Sequence, residues 1–271
     1  MTNIILKNRY LILRRVSQIS IMTLYIFANI YGLTILQGNL SSSLIFETIP
    51  LSDPFAVLQM LFAGALISTN IIIGASIITL FYFFLGGRVF CSWVCPVNII
   101  TDLSSFIRRK LGFDTIQKRQ PASRNMRYWV LALSLILSTI LGVGAFEFIS
   151  PISMVHRGLV FGLGFGWAAI LIIFLFDLFV LKNGWCGHIC PLGGFYSLVG
   201  KYSFLRVTHN HIKCTECMKC KEVCHENQVL SMIGKDSIPV LSGECTNCAR
   251  CIEVCEDDAL NFSIINRFAK K

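Results

Sequence analysis

Eight of the twelve cysteines form two runs near the C-terminus. Residues 214–224 read CTECMKCKEVC and residues 245–255 read CTNCARCIEVC, so both have the spacing Cys-x2-Cys-x2-Cys-x3-Cys. In bacterial ferredoxins, three closely spaced thiolates of such a run hold one [4Fe–4S] cluster and the fourth cysteine holds the other cluster. Structural zinc sites usually use separated Cys-x2-Cys pairs or histidine ligands instead. The spacing therefore predicts two [4Fe–4S] clusters.

The crossed arrangement assigns four cysteine ligands to each cluster. The ligands of the first site are Cys214, Cys217, Cys220 and Cys255. The ligands of the second site are Cys245, Cys248, Cys251 and Cys224. A proline usually follows the fourth cysteine of such a run, but His225 and Glu256 stand there in this chain. Two adjacent clusters in one small domain predict electron transfer.

The other four cysteines lie in two shorter motifs, FCSWVCPVN at residues 90–98 and WCGHICPLG at residues 185–193. Each has the pattern Cys-x3-Cys-Pro, and the cysteine pairs lie 95 residues apart. If the motifs meet, Cys91, Cys95, Cys186 and Cys190 form a tetrathiolate site for a third iron–sulfur centre or another soft metal. They could instead be redox thiols that contact a partner, or buried structural thiols. A disulfide within each pair is not favoured in a reducing cytosol.

The composition indicates that a membrane positions these cysteines. Of the 271 residues, 54% are hydrophobic and 14% are charged, with a mean hydropathy of +0.65; soluble domains carry about 25% charged residues. Each of four apolar segments is long enough for a bilayer core of about 30 Å. They are residues 16–36, 58–85, 128–148 and 159–181. Because the backbone must satisfy its own hydrogen bonds in lipid, we expect these segments to be helices.

Lysine and arginine residues orient these predicted spans. Four precede the first span, eight lie between residues 86 and 127, and eleven follow residue 181. There are none between the first two spans, and only Arg157 between the last two. The positive-inside rule therefore places both termini and the middle loop in the cytoplasm. This orientation puts all twelve cysteines on the cytoplasmic side of the membrane.

The repeated motifs divide the spans into two parallel repeats. Each motif directly follows the second helix of a predicted hairpin, so an axis along the membrane normal can relate the hairpins. An amphipathic segment follows the first motif. Its apolar side chains, Ile99, Leu103, Phe106, Ile107 and Leu111, share one helical face. A helix in the membrane interface fits this pattern.

Ionisable residues near or inside the spans are functional candidates by default, and the family resemblance described below implies quinol and proton chemistry for them. Glu147 lies at the outer end of the third span, and His156 lies in the short outer loop. Together they could accept protons from a quinol. Asp177 lies toward the inner end of the fourth span and could serve a quinol on that side. The alternative for each residue is an interfacial side chain that reaches water or headgroups.

These patterns predict an α-helical membrane protein with four transmembrane helices arranged as two repeated hairpins. A C-terminal α+β domain of the bacterial 2×[4Fe–4S] ferredoxin type follows. We expect residues 1–205 to form the transmembrane domain with both cytoplasmic Cys-x3-Cys-Pro motifs, and residues 206–271 to form the ferredoxin-like domain. Membrane lipid is an expected partner, and nucleic acid is not.

Three segments closely resemble the NapH family, the polytopic ferredoxin-type subunits of periplasmic nitrate reductase systems. They are GRVFCSWVCPVNIITD, GWCGHICPLGGFYSLVGKYSFLRVTHNHIKC and LSGECTNCARCIEVCEDDALNF. The resemblance implies a quinol dehydrogenase component that takes electrons from menaquinol or ubiquinol. It also implies a NapG-like periplasmic iron–sulfur partner and a downstream cytochrome on the way to nitrate reductase. The protein would not reduce nitrate itself. The alternative is a metal-centre maturation or redox-sensing membrane ferredoxin, since more distant relatives with the same plan belong to such families.

Overall fold

The computed structural model of the chain describes residues 8–32, 35–113, 123–162, 164 and 166–265. The α-helices among them, α1 to α12, are Arg9–Tyr31, Pro54–Phe62, Thr69–Leu85, Val89–Trp93, Val97–Lys110, Met126–Leu141, Ala145–Ile149, Pro151–Phe161, Gly166–Leu175, Pro191–Gly200, Lys219–Val223 and Arg250–Glu253. Two π-helical turns are Phe176–Val180 and Trp185–Ile189, and two 3-10 turns are His211–Lys213 and Asn227–Leu230. The strands β1 to β5 are Leu36–Gly38, Ser42–Ile45, Ile49–Ser52, Leu205–His209 and Leu260–Ile264.

The predicted spans correspond to helices of unequal length. Helix α1 is the one helix within the described ranges that is long and apolar enough to cross a membrane. Shorter apolar helices, Thr69–Leu85, Met126–Leu141 and Gly166–Val180, cover parts of the other three segments. That the other three segments also cross the membrane therefore stays a prediction.

Local breaks explain why the later helices are shorter than the apolar segments. The second segment is divided because α2 ends at Phe62, and Gly64 follows with a left-handed φ of 75°. The third ends early because Gly142, with a φ of 67°, caps α6. Glycine adopts this conformation at no steric cost. A hydropathy profile alone does not show where such glycines end a helix.

Two compact units, each built from several chain segments, make up the molecule. Unit 1 comprises residues 1–18, 80–94 and 196–271, and unit 2 comprises residues 19–79 and 95–195. The first Cys-x3-Cys-Pro motif is shared between the units, with Cys91 in unit 1 and Cys95 in unit 2. The predicted division after residue 205 followed composition, and it stays a prediction about domains.

Unit 2 contains a small antiparallel sheet between α1 and α2. Strand β2 pairs with both neighbours, with Leu36 opposite Ile45 in one pair and Ser42 opposite Ser52 in the other. The side chain of Asn39 accepts hydrogen bonds from the backbone N–H groups of Ser41 and Ser42, which fixes the turn. The sheet lies in the segment predicted to be the first outer loop.

The two repeats exchange their packing partners. In unit 2, α5 follows the first motif but contacts the chain around the second: the Ser105 hydroxyl donates to Asn183 Oδ1 at 2.6 Å, and Arg108 donates to the Leu178 carbonyl at 2.7 Å. In unit 1, the residues before the first motif meet the helix that follows the second, and Phe90 stacks on Tyr196 with ring centroids 5.3 Å apart. The end of each predicted hairpin therefore packs against the helix that follows the motif of the other repeat.

Several helices have inverted polarity, with polar side chains inward and apolar side chains outward. On α5, Thr101, Ser105 and Arg108 are buried, whereas Leu103 is 51% exposed and Phe106 is 56% exposed. On α1 the buried residues include Arg14 and Gln18, and on α6 they include Arg127, Ser134 and Ser138. A helix that faces water shows the opposite pattern.

The ferredoxin-type part of unit 1 combines a two-stranded sheet with two short helices. Strands β4 and β5 pair antiparallel, with Leu205 opposite Ile264 and His209 opposite Leu260. Its core lies under the sheet and consists of Val207, Cys220, Val229, Leu230, Met232, Ile233, Val240, Cys251 and Leu260. The predicted α+β ferredoxin-type part is thus present.

Candidate functional site

The cysteine runs surround two separate cavities in unit 1. The first cavity is lined by Cys214, Cys217, Cys220 and Cys255, mostly together with apolar side chains. The second cavity is lined by Cys224, Cys245, Cys248 and Cys251. Each combines three cysteines of one run with the fourth cysteine of the other, which is the predicted crossed arrangement. Ligation itself stays a prediction.

The local backbone explains how each run bends around its cavity. Glu216 and Met218 have left-handed φ angles of 56° and 59°, and the equivalent Asn247 and Ala249 have 47° and 60°. Non-glycine residues rarely adopt this conformation unless the surrounding structure holds them there. The third cysteine of each run then lies on a short helix, α11 or α12. The repeated backbone pattern turns the thiols of one run toward one cavity.

The raised pKa values of the cysteines at the second site indicate why a metal centre fits there. Burial, together with the neighbouring thiol Cys248, raises the pKa of Cys245 to about 11. Burial and the thiols of Cys248, Cys245 and Cys224 raise the pKa of Cys251 well above its ordinary value. Four thiolates could not coexist here without a compensating positive charge. Iron ions supply that charge, so these residues fit a [4Fe–4S] cluster.

No group of three or more His, Cys, Asp or Glu side chains within the described ranges is close enough to hold a single metal ion. The ferredoxin cysteines are included in this statement. A cubane cluster binds each thiolate at a different iron atom, so its ligands surround a larger volume than those of one ion.

The first Cys-x3-Cys-Pro motif begins on α4 and continues into α5. Cys91 is half-buried and Cys95 is buried. Ser92 and Trp93, between the two cysteines, donate hydrogen bonds to the Thr246 and Asn247 carbonyls beside the second cavity. The predicted tetrathiolate site of Cys91, Cys95, Cys186 and Cys190 stays a prediction.

The second motif lies on a π-helical turn that ends before Pro191. Cys186 is half-buried, with its sulfur 3.9 Å from Oγ1 of Thr101 on α5. Cys190 is buried, and its backbone is extended as expected for a residue before proline. Proline therefore separates the π-helical turn from α10. Turns of this type are often found at functional sites.

The structure brings Glu147 and His156 to one small cavity in unit 2. The hydroxyls of Ser41 and Ser153 donate to Oε1 of Glu147 at 2.5 and 2.6 Å. His156 lines the same cavity, is 3% exposed, and packs edge-on against Tyr25. Burial, with the charge of Arg157, lowers the pKa of His156, so the ring is neutral near pH 7. A carboxylate and a neutral imidazole can both accept protons.

Asp177 occupies a different position, on the π-helical turn Phe176–Val180. Its Oδ1 accepts a hydrogen bond from the backbone N–H of Trp185 at 3.0 Å. Its Oδ2 has no hydrogen-bond partner within the part of the chain that the structure describes, although the side chain is buried. Asp177 thus links the end of the second hairpin to the second motif, and it does not line the cavity of Glu147.

Sequence reasoning missed a buried ion pair beside the second site. Arg88 Nη1 lies 2.6 Å from Oε1 of Glu226, and both side chains are 2% exposed. Glu226 follows the ligand Cys224 by two residues and lines the second cavity. An arginine at the end of an apolar segment, three residues before a cysteine, was the available signal. Its partner lies too far along the chain for local patterns to reveal.

A family model described as "4Fe-4S binding domain" matches the chain twice, at residues 67–114 and 163–209. Each matched segment contains one Cys-x3-Cys-Pro motif, and neither includes the cysteine runs after residue 213. The double match supports the internal repeat. It also attaches an iron–sulfur description to the segments whose cysteines have no assigned role.

The chain is similar to two groups of ferredoxin-type proteins. It is 45% identical to "Ferredoxin-type protein NapH" of Haemophilus influenzae over 82% of this chain and 77% of the relative. The NapH protein of Escherichia coli is 44% identical over the same shares. "Methylamine utilization ferredoxin-type protein MauN" of Methylorubrum extorquens is 43% identical over 86% of this chain and 81% of the relative. No solved structure matches the chain.

Proposed function

Since this chain belongs to the family of NapH and MauN ferredoxin-type proteins and is therefore an iron–sulfur electron-transfer protein, we propose that its electron donor is a membrane quinol. The observation that carries the proposal is the combination of two four-cysteine cavities with apolar helices whose polar faces are buried. Menaquinol or ubiquinol, dissolved in the bilayer, would meet the protein at these helices. The eight run cysteines would hold two [4Fe–4S] clusters, and each cluster accepts one electron when bound.

The inverted polarity of α1 and α6 supports a multi-pass position in the bacterial inner membrane, and the exposed apolar face of α5 fits a helix in the membrane interface. Lipid tails tolerate exposed apolar side chains such as Leu133 and Ile136 on α6, whereas water would favour burying them. The hydroxyls of Ser134 and Ser138 donate to backbone carbonyls of the same helix, because intramembrane polar groups must find partners inside the protein. Both termini would be cytoplasmic by the positive-inside rule.

Two carboxylates are the proposed proton acceptors. Oxidation of one quinol releases two electrons and two protons, so each proton needs an acceptor where quinol binds. Glu147 has His156 in the same cavity, on the side predicted to be outer. Asp177 is buried on the side predicted to be inner, and its Oδ2 has no hydrogen-bond partner among the residues that the structure describes. Either could receive a proton, and the two positions imply opposite sides for proton release.

For the electron acceptor we propose a NapG-like periplasmic iron–sulfur protein, then a cytochrome and periplasmic nitrate reductase. This proposal follows the NapH relatives. The MauN relatives, whose names refer to methylamine utilization, support a second candidate in which the electron route belongs to methylamine metabolism. Both candidates share the same chemistry in this chain. Metal-centre maturation or redox sensing is the alternative from a different class.

The deciding experiment is anaerobic reduction of the purified full-length chain in detergent by short-chain menaquinol and ubiquinol analogues. We expect EPR signals of reduced clusters with at least one quinol. Glu147→Gln or Asp177→Asn should slow the reduction by roughly tenfold or more, because a positioned base contributes at least this much. Glu47→Gln is the matched control, since Glu47 is an exposed carboxylate in the first predicted outer loop and does not line the Glu147 cavity. Clusters that dithionite reduces but no quinol reduces would contradict the proposal.

A further inference from the structure

Two loops of nearly identical sequence have opposite environments in unit 1. Cys214 to Cys217 reads CTEC, and Cys245 to Cys248 reads CTNC. Thr215 and Glu216 are exposed, whereas Thr246 is 9% exposed and Asn247 is 3% exposed. The ligand sequence therefore does not explain the difference. Another segment of unit 1 covers the second loop.

That segment is Arg88–Trp93, which contains Cys91 of the first Cys-x3-Cys-Pro motif. It donates a hydrogen bond to three carbonyls around Cys245: Arg88 to Glu244 O at 2.9 Å, Ser92 to Thr246 O at 2.7 Å, and Trp93 to Asn247 O at 3.2 Å. The loop donates in return, since Asn247 Nδ2 lies 2.9 Å from the Leu85 carbonyl. The first loop is held instead by Asp257, which accepts from the backbone and hydroxyl of Thr215.

Arg88 is the centre of this contact. Its guanidinium pairs with Glu226, hydrogen-bonds to the Glu244 carbonyl, and contacts the side chain of Cys91. Glu226 follows the ligand Cys224, and Glu244 precedes the ligand Cys245. One side chain therefore joins both runs at the second site to the first motif. A buried pair of this kind has a strongly preferred geometry, because either partner alone would be a costly buried charge.

We propose that Arg88–Trp93 is a positioning element of the second iron–sulfur site, and that Arg88 is the positioning residue that fixes Cys91 against that site. The inference rests on the proposed cluster assignment. It gives a role to the first half of the first Cys-x3-Cys-Pro motif, to which the cluster assignment gives none. The segment shields the second loop from water and occupies its carbonyls. Solvent exposure and nearby hydrogen bonds set cluster potentials, so this environment should separate the two clusters in potential.

A merely structural contact would change stability but not the electronic properties of one cluster. The test therefore uses redox titration followed by EPR on the full-length chain in detergent, with iron and sulfide analysis. Cys248→Ala and Cys217→Ala identify the signals of the second and first clusters by their loss. Arg88→Lys keeps the charge, and Ser92→Ala removes one hydrogen bond without leaving a buried charge. Asp257→Asn is the matched control at the first loop.

We expect Arg88→Lys and Ser92→Ala to retain about eight iron atoms per chain. Both should shift the midpoint potential and EPR signal of the second cluster and leave the first unchanged. Asp257→Asn should do the reverse. Arg88→Gln removes the positive charge that faces the buried Glu226 carboxylate, and this variant should lose about half of the iron.

Unchanged second-cluster potentials in both Arg88→Lys and Ser92→Ala would overturn the inference, as would a shift of the first cluster alone. If Arg88→Gln does not fold, Ser92→Ala still decides the question. Failure of the cluster assignment has a different signature. In that case the wild-type protein would hold well under about eight iron atoms even after full reconstitution, and Cys217→Ala and Cys248→Ala would not remove separate signals.

Discussion

The guanidinium of Arg250 lies 2.9 Å from Nε2 of His225, although the two residues belong to different cysteine runs. A matching pair joins the runs in the opposite direction, since Lys219 Nζ lies 3.1 Å from Oε1 of Glu256. In each pair, the residue before a third cysteine contacts the residue after the other run's fourth cysteine. His225 and Glu256 occupy the places where a proline is typical. Polar cross-links between the runs thus stand where the ferredoxin pattern has a stiff turn.

The two cross-links should affect cluster potentials unequally. Arg250→Met removes a half-buried positive charge beside Cys251, which should lower the potential of the second cluster by roughly 50 mV. Lys219→Met is the matched change at the first site. Its pair is exposed, with side-chain exposures of 54% and 69%, so solvent and salt should screen most of the effect. Redox titration at low and high salt measures both potential shifts. Equal shifts in the two variants would contradict the expectation that the half-buried charge of Arg250 acts more strongly than the exposed charge of Lys219.

The crossed ligand sets predict which cluster each fourth cysteine supports. Cys224→Ala should eliminate the EPR signal of the second cluster and spare the first, although Cys224 belongs to the run that supplies three ligands of the first. Cys255→Ala should have the opposite result. Iron and sulfide should fall from about eight to about four in each variant. A loss confined to the cluster of the same run would refute the crossed assignment.

Arg108 should contribute strongly to the stability of unit 2. Its guanidinium donates to the carbonyls of Asp177 and Leu178, and the side chain is buried. Arg108→Ala should lower the free energy of unfolding by about 1.5–3 kcal/mol, because it removes hydrogen bonds from a charged donor and leaves buried acceptors. Lys110→Ala, at the exposed end of the same helix, should change it by less than about 0.5 kcal/mol. Thermal unfolding in detergent compares the two variants, and similar melting temperatures would count against the contact.

The proposed four-span topology predicts the activity of reporter fusions. Alkaline phosphatase fused after Asn39 or Ser150 should be active, because these residues lie in predicted outer loops. Fusions after Leu111 or Lys201 should be inactive, because the lysine and arginine distribution places them in the cytoplasm. Activity after Leu111 would overturn the orientation. Inactivity after Ser150 alone would indicate that the second hairpin does not cross the bilayer.

Short-range patterns are informative about the cysteine runs, although cluster ligation by them stays a prediction. The spacing of each run placed Cys224 with Cys245, Cys248 and Cys251, and these four residues line one cavity. The resemblance to the NapH family was also confirmed. Both predictions depend on residues close together in the chain or on long stretches of similar sequence. Such information is present in the sequence without knowledge of the tertiary fold.

Other features were outside the reach of pattern reading. Hydropathy predicted one continuous segment for residues 58–85, whereas α2 ends at Phe62 and α3 begins at Thr69. The pattern of α5 indicated an apolar face but not that Thr101 and Ser105 would be buried opposite it. The contact of Arg88 with Glu226 depends on how the first motif meets the cysteine runs. These outcomes come from tertiary packing between distant segments, which local propensity does not encode.

The Arg88–Glu226 pair also constrains when the protein can mature. The partners of Arg88 are Glu226 and the Glu244 carbonyl, which lie 138 and 156 positions later in the chain and are therefore synthesised after it. Gly87, next to Arg88, lies against the helix that follows the second motif. A side chain at this position would collide with the backbone of Tyr196 and Gly200. During translation the first motif is therefore complete long before anything can cover it. Iron and sulfide could therefore enter the proposed second site only after the residues that surround it, from Arg88 to Cys251, have all been synthesised.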